Sequence, residues 1–68
     1  VELNLPFAFE CFSNLAESGH VEAQFWTAHM LENGEGVEKN KAEAAKWYAR
    51  ASKQGHDRAL KRLSELYE

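Results

Sequence analysis

The segment VEAQFWTAHMLENGEGVEKNKAEAAKWYARASKQGH, residues 21–56, decides the fold, because the sequence on either side of it repeats it. When the chain is shifted against itself by 36 residues, eight of the 32 overlapping positions are identical. Ordinary residue frequencies would give about two. The identical positions include Asn4/Asn40, Ala8/Ala44, Gly19/Gly55, His20/His56 and Ala23/Ala59. A period in the mid-thirties is typical of solenoids built from helix pairs.

Capping and turn residues predict four helices, near residues 5–18, 21–32, 41–53 and 57–67. Asn4 and Asn40 stand immediately before helical patterns, where an N-cap side chain is needed. Gly19 and Gly55 follow the first and third helices, as residues that readily adopt a positive φ. The longest predicted loop, residues 33–39, contains two glycines that suit left-handed turns.

Apolar residues recur at helical spacing in each of the four segments, which predicts one buried face per helix. The alanines on these faces allow two helix backbones to approach closely. The sequence therefore predicts an all-α fold, a slice of an α/α solenoid with four helices in antiparallel pairs. The predicted core residues are Ala8, Phe12, Leu15, Ala16, Ala23, Thr27, Met30, Leu31, Ala44, Trp47, Tyr48, Ala51, Ala59, Leu63, Leu66 and Tyr67.

The arrangement of the central segment resembles a Sel-one-like repeat, an α/α repeat related to tetratricopeptide repeats. The resemblance rests on Ala23-Gln24-Phe25, Gly34-Glu35-Gly36-Val37, Trp47-Tyr48, Gln54-Gly55 and Ala59. It implies a single repeat domain over residues 1–68. In that domain residues 1–20 are the second half of one repeat, 21–56 a complete repeat, and 57–68 the first helix of a following repeat or a cap.

The same resemblance implies an adaptor scaffold that receives a protein or peptide on a concave face, built mainly by the first helix of each pair. We therefore expect a non-catalytic protein–protein interaction module. The alternative is a purely structural cap or spacer of a longer repeat array, with no ligand of its own. The predicted partner-binding residues are Glu22, Phe25, Trp26, His29, Arg58, Lys61, Arg62 and Glu65.

Two positions carry aromatic residues whose role the pattern leaves open. Trp26 lies off the predicted core stripe, so it is either half-buried between helices or an anchor for a partner. Phe7 and Phe9 correspond to Glu43 and Ala45 in the repeat, which makes the first helix unusually apolar. That patch predicts either contact with a neighbouring repeat or weak self-association.

The formal net charge of −3 hides a strong asymmetry along the chain. Residues 1–38 carry −7, and residues 39–68 carry +4. Such a charge distribution can steer the approach of a partner or of another copy of the chain. The alternative is that each half simply presents a solvated face. The net negative charge gives no reason to expect nucleic-acid binding.

The sequence offers no pattern typical of a metal, cofactor or catalytic site. His20 and His56 are repeat equivalents in tight turns, and no pair of ligands has zinc-site spacing. There is no nucleophile elbow, phosphate-binding loop or zinc-protease motif, so we expect no enzymatic activity. The single cysteine, Cys11, excludes an internal disulfide and, between Phe9 and Phe12, is predicted to be a small buried residue.

The ends and the hydropathy of the chain give only broad expectations about its location. No apolar run approaches the roughly 20 residues that span a bilayer, so we expect a soluble protein without direct membrane insertion. No signal peptide is visible, and the chain begins with Val1 rather than Met, which suggests a mature form or an excised piece. One thiol is compatible with the cytoplasm and does not exclude the periplasm.

Overall fold

The computed structural model describes residues 4–66, in which four helices follow one another. They are α1 Leu5–Glu17, α2 Val21–Asn33, α3 Lys41–Lys53 and α4 Asp57–Leu66. No strand occurs within residues 4–66, and the predicted all-α architecture is confirmed. Tyr67, the predicted last core residue, lies outside the described residues.

The starts of α1 and α3 and the turns after them are formed by the residues that the sequence indicates. The Asn4 side-chain oxygen accepts from the Phe7 amide at 3.1 Å, and that of Asn40 accepts from the Glu43 amide at 3.0 Å. Both predicted N-caps are therefore confirmed, and each satisfies a backbone donor that has no partner within the helix. Gly19 and Gly55 reverse the chain with φ of 97° and 91°, a region that L side chains rarely adopt.

Each helix packs against the next one in the chain, and short connections make successive helices antiparallel. As a result α3 lies between α2 and α4, whereas α1 packs mainly against α2. Small residues form much of the shared interior, and Tyr48 is the largest side chain that is fully buried there. The buried core cluster comprises Phe25, Ala28, Leu31, Ala44, Tyr48, Ala51 and Ala59.

Three predictions about α1, those for Leu15, Cys11 and Phe9, are wrong. Leu15 was expected in the core but is 48% exposed. Cys11 was expected to be buried and is exposed, since Phe9 and Phe12 point to other sides of the helix. Phe9, expected in an exposed patch with Phe7, is partly buried against the core cluster, while Phe7 is 63% exposed.

A buried amide links three parts of the chain at the side where α1 ends. The Gln24 nitrogen donates to the Ala16 carbonyl at 3.1 Å, and its oxygen accepts from the Gln54 amide at 2.9 Å. Both ends of the Gln24 amide are thus hydrogen-bonded, as a buried polar group requires. These bonds fix α2 relative to the end of α1 and the turn after α3.

Candidate interaction groove between α2 and α4

A groove runs between α2 and α4, the first helices of two successive repeat units. One part encloses about 340 Å³ and the adjoining part about 230 Å³. The structure brings seven of the eight predicted partner-binding residues to its walls. The residues lining the two parts are Phe25, Trp26, His29, Asn33, Arg58, Lys61, Arg62 and Glu65.

The aromatic wall of the groove belongs to α2. Phe25 was predicted to lie off the core, but it is buried, stacks on His56 at 4.6 Å between ring centroids and reaches Tyr48 at 5.7 Å. Trp26 is 41% exposed and meets the Phe25 ring edge-on at 5.4 Å. Phe25 therefore forms the floor by its exposed edge, and Trp26 is the aromatic side chain that a partner can reach.

The basic wall of the groove belongs to α4. Arg58 and Lys61 are exposed, and within residues 4–66 neither forms an ion pair. Arg62 instead donates to Glu32 at 2.6 Å and to Glu65 at 3.0 Å. Two exposed cations and the exposed carboxylate of Glu65 thus lie on this wall, while Arg62 is held in place by carboxylates.

Histidine side chains cap two of the helices, which the sequence reading missed. The His20 Nδ1 accepts from the Ala23 amide at 3.3 Å, and the His56 Nδ1 accepts from the Ala59 amide at 3.0 Å. Histidine is not among the preferred N-cap residues, so residue preferences gave no signal. The presence of histidine at the same position of both repeats was the signal that could have revealed this capping role.

His56 also connects the two walls of the groove. With Nδ1 accepting a backbone hydrogen bond, the ring proton lies on Nε2, which donates to the Glu22 carboxylate at 3.0 Å. Glu22, a predicted partner-binding residue, is therefore engaged in joining α2 to the start of α4. It does not line the described parts of the groove.

The far end of the groove is fixed by a network around Glu32. Its two carboxylate oxygens accept from the Tyr48 hydroxyl at 2.8 Å and from the Arg62 guanidinium at 2.6 Å. Burial raises the pKa of Glu32, but the two hydrogen bonds together with the nearby charge of Arg62 outweigh it and hold the pKa below its usual value. Burial, with the Glu32 bond, raises the pKa of Tyr48 to about 12, so its hydroxyl remains a donor at neutral pH.

The lowered pKa of Glu32 predicts a specific acid sensitivity. Because the folded-state pKa lies below the unfolded value, this carboxylate stabilises the fold above the unfolded pKa and loses that effect as the pH falls through the folded one. We expect Glu32→Gln to be less stable than the wild type at pH 7, yet to lose less stability between about pH 5 and pH 3. Urea unfolding followed by circular dichroism at several pH values measures both effects.

The matched control for this prediction is Glu38→Gln, which removes one charge from an exposed carboxylate. It should retain the acid sensitivity of the wild type. Equal loss of stability on acidification in the wild type and in Glu32→Gln would contradict the assignment of this sensitivity to Glu32.

The described part of the chain also bears on metal sites and membrane-spanning helices. Within residues 4–66 no three His, Cys, Asp or Glu side chains come together in a group that could hold a metal ion. Over the same residues, no helix has the length and apolar character needed to cross a membrane.

One family model and two curated relatives match this chain. The family model described as Sel1 repeat matches residues 1–20 and 21–56. Chitin synthase regulatory factor 3 of Schizosaccharomyces pombe is 45% identical over 47 residues, which are 69% of this chain and 5% of that protein. Chitin synthase regulator SKT5 of Malassezia restricta is 39% identical over 51 residues, which are 75% of this chain and 4% of that protein. No solved structure gave a significant match.

Proposed function

Because this chain belongs to the Sel1 repeat family, we propose that it is a non-catalytic protein-interaction module whose binding site is the groove between α2 and α4. Repeats of this family generally bind other proteins, and both relatives are named as regulators. The chain spans only 5% and 4% of their lengths, so their target is not assigned to it. A place within a regulatory protein is the part of their description that we extend to this chain.

The observation that carries the proposal is the pairing of an accessible Trp26 with the exposed cations Arg58 and Lys61 across one groove. Tryptophan and arginine contribute most often to binding hot spots, because they combine a large apolar area with directed hydrogen bonds. The floor beneath them is stiff, since Phe25 is stacked in the core and His56 caps α4. A preformed groove loses less entropy when it binds a segment.

The chemistry of the two walls defines the partner. A segment that fits carries an apolar or aromatic side chain for Trp26 and an acidic side chain for Arg58 and Lys61. The Arg62 guanidinium is less available for such a contact, because Glu32 and Glu65 already accept from it. We therefore propose a peptide segment with neighbouring acidic and apolar residues as the ligand.

A displayed library of random peptides, selected on the wild-type protein, tests the proposal. We expect the selected peptides to be enriched in acidic and apolar residues and to perturb the Trp26 fluorescence or its indole NMR signal. Trp26→Ala should weaken their binding about tenfold or more, the loss typical of a hot-spot residue. Arg58→Ala should weaken binding by a smaller factor, and more so at low ionic strength.

Two control variants show whether such losses are specific to the groove. Phe7→Ala removes an exposed aromatic side chain from α1, and Lys46→Ala removes an exposed cation from α3. Both should bind the selected peptides as the wild type does. If Trp26→Ala and Arg58→Ala also bind normally while remaining helical, the groove is not the site, and a structural spacer role would be favoured instead.

A further inference from the structure

The charged side chains that α4 contributes to the groove follow a definite order along the helix. Arg58 and Lys61 stand near its start and Glu65 near its end, and all three are exposed and line the same part of the groove. Residues spaced by three and four lie on one face of a helix. Arg58 and Glu65 are two turns apart, which corresponds to about 10.5 Å along the axis. We call Arg58 with Lys61 the basic end of the groove, and Glu65 its acidic end.

The accessible tryptophan lies between these two ends. By the 36-residue repeat, Trp26 of α2 is equivalent to Arg62 of α4, so it lies level with the middle of the charged series. Both residues line one part of the groove. Helices α2 and α4 run in the same direction, because each is antiparallel to α3. The groove therefore presents a basic end, an aromatic middle and an acidic end in that order.

Two other carboxylates near the start of α4 do not belong to the groove. Glu22 accepts from the His56 ring at 3.0 Å, and Asp57 is the first residue of α4, where a carboxylate interacts favourably with the helix dipole. Neither of them lines the described parts of the groove. Arg58 and Lys61 are therefore the charged groups that a bound segment meets at this end.

The acidic end is accessible, although one residue already holds it in place. The Glu65 side chain is 51% exposed, and its Oε1 accepts from the Arg62 guanidinium at 3.0 Å. That bond uses one of about four acceptor sites of the carboxylate. His29, the repeat equivalent of Glu65, has its Nδ1 3.5 Å from the exposed Glu35 carboxylate, so a second acidic group lies near this end. A basic group that binds here meets carboxylates that are already positioned.

The dimensions of the groove suit a short extended segment. Its two parts, of about 340 Å³ and 230 Å³, have the size of a site for a few side chains. A helix, by contrast, is about 10–12 Å wide with its side chains. An extended chain advances about 3.3 Å per residue, so about three residues cover the distance from Arg58 to Glu65.

We propose that the groove recognises a mixed-charge segment, in which an acidic and a basic residue about three positions apart enclose an apolar one. The acidic residue contacts Arg58 and Lys61, the apolar residue contacts Trp26, and the basic residue contacts Glu65. This inference rests on the proposed function, because it requires the groove to be the binding site, and it adds the basic residue and the spacing. A uniformly acidic segment is disfavoured, since its second carboxylate meets Glu65.

A matched pair of probe peptides tests this inference. Peptides selected from the displayed library on the wild type should carry an acidic and a basic residue about three positions apart. In the tightest of them the basic residue is replaced by glutamate, and both forms are titrated by calorimetry. The wild type should bind the mixed-charge form about two- to fivefold more tightly, the range of an exposed ion pair, and Glu65→Lys should reverse this preference. Selected peptides without a basic residue at that spacing would overturn the inference.

Control variants separate this inference from the proposed function. Glu10→Lys makes the same change of charge at an exposed position of α1, outside the residues that line the groove, and should keep the preference of the wild type. If Trp26→Ala weakens both probes while Glu65→Lys leaves the preference unchanged, the groove is the site and the charge order is wrong. If Trp26→Ala, Arg58→Ala and Glu65→Lys all bind both probes as the wild type does, both proposals fail.

Discussion

Replacing Gly36 by alanine is expected to destabilise the fold by at least about 3 kcal/mol. Gly36 has φ of 72°, where a non-glycine residue costs about 1–2 kcal/mol. A Cβ at this position would also overlap the carbonyl group of Leu5 and the nitrogen of Pro6, at the start of α1. These are backbone atoms of a helix end, so the clash can be relieved only by moving α1 away from the loop.

The matched control is Gly34→Ala in the same loop. Gly34 has φ of 73°, one degree from that of Gly36, so the conformational cost of alanine is the same. Its Cβ would meet the Lys39 side chain at 3.2 Å, a contact that a small shift relieves. Urea unfolding followed by circular dichroism should show a much larger loss for Gly36→Ala than for Gly34→Ala. Equal losses would mean that the loop and α1 are not in close contact.

Replacing Tyr48 by alanine is expected to cost about 3–5 kcal/mol, the usual range for removing a buried aromatic side chain. At ordinary stability per residue, a chain of 68 residues has about 3–10 kcal/mol in all. Tyr48 is fully buried among α2, α3 and α4 and contacts Phe25. The variant should therefore be largely unfolded at 37 °C, with low helical content by circular dichroism.

Tyr48→Phe distinguishes the contribution of the ring to stability from that of the hydroxyl. This variant keeps the buried ring but loses the hydrogen bond to Glu32, and bonds to charged groups contribute about 1.5–3 kcal/mol. We expect a folded protein with a lower urea midpoint. Trp47→Ala, at a half-buried neighbouring position where Arg50 lies over the ring at 4.6 Å, should cost less than Tyr48→Ala. A loss for Trp47→Ala as large as that for Tyr48→Ala would contradict the central role of Tyr48.

Long-range polar contacts could not be predicted from the sequence, even where helices and turns could. Arg62 and Glu32 are 30 positions apart, and Tyr48 lies between them in the chain. No local pattern indicates that these three side chains meet. They do so because the solenoid places corresponding ends of α2 and α4 on either side of α3, which only the packed structure shows.

The sequence predicted which residues line the groove better than it predicted how exposed each of them is. Periodicity placed Trp26, His29, Arg58, Lys61 and Arg62 on the sides of their helices that line the groove. It misplaced Phe25, since the stripe of a buried helix is wider than the single line of residues that periodicity first suggests. A helix with neighbours on two sides buries more of its circumference, as α2 does between α1 and α3.

By itself the sequence determined the helices, the asparagine caps and glycine turns at their ends, and the repeat. These features are visible without any knowledge of packing. Asparagine caps and glycines with positive φ depend on local sequence, and the 36-residue period appears when the sequence is compared with itself. The tertiary structure alone decided that Leu15 is exposed while its equivalent Ala51 is buried. The physical reason is that burial depends on whether a neighbouring helix covers a face, and equivalent residues of a repeat have different neighbours at the end and in the middle of the stack.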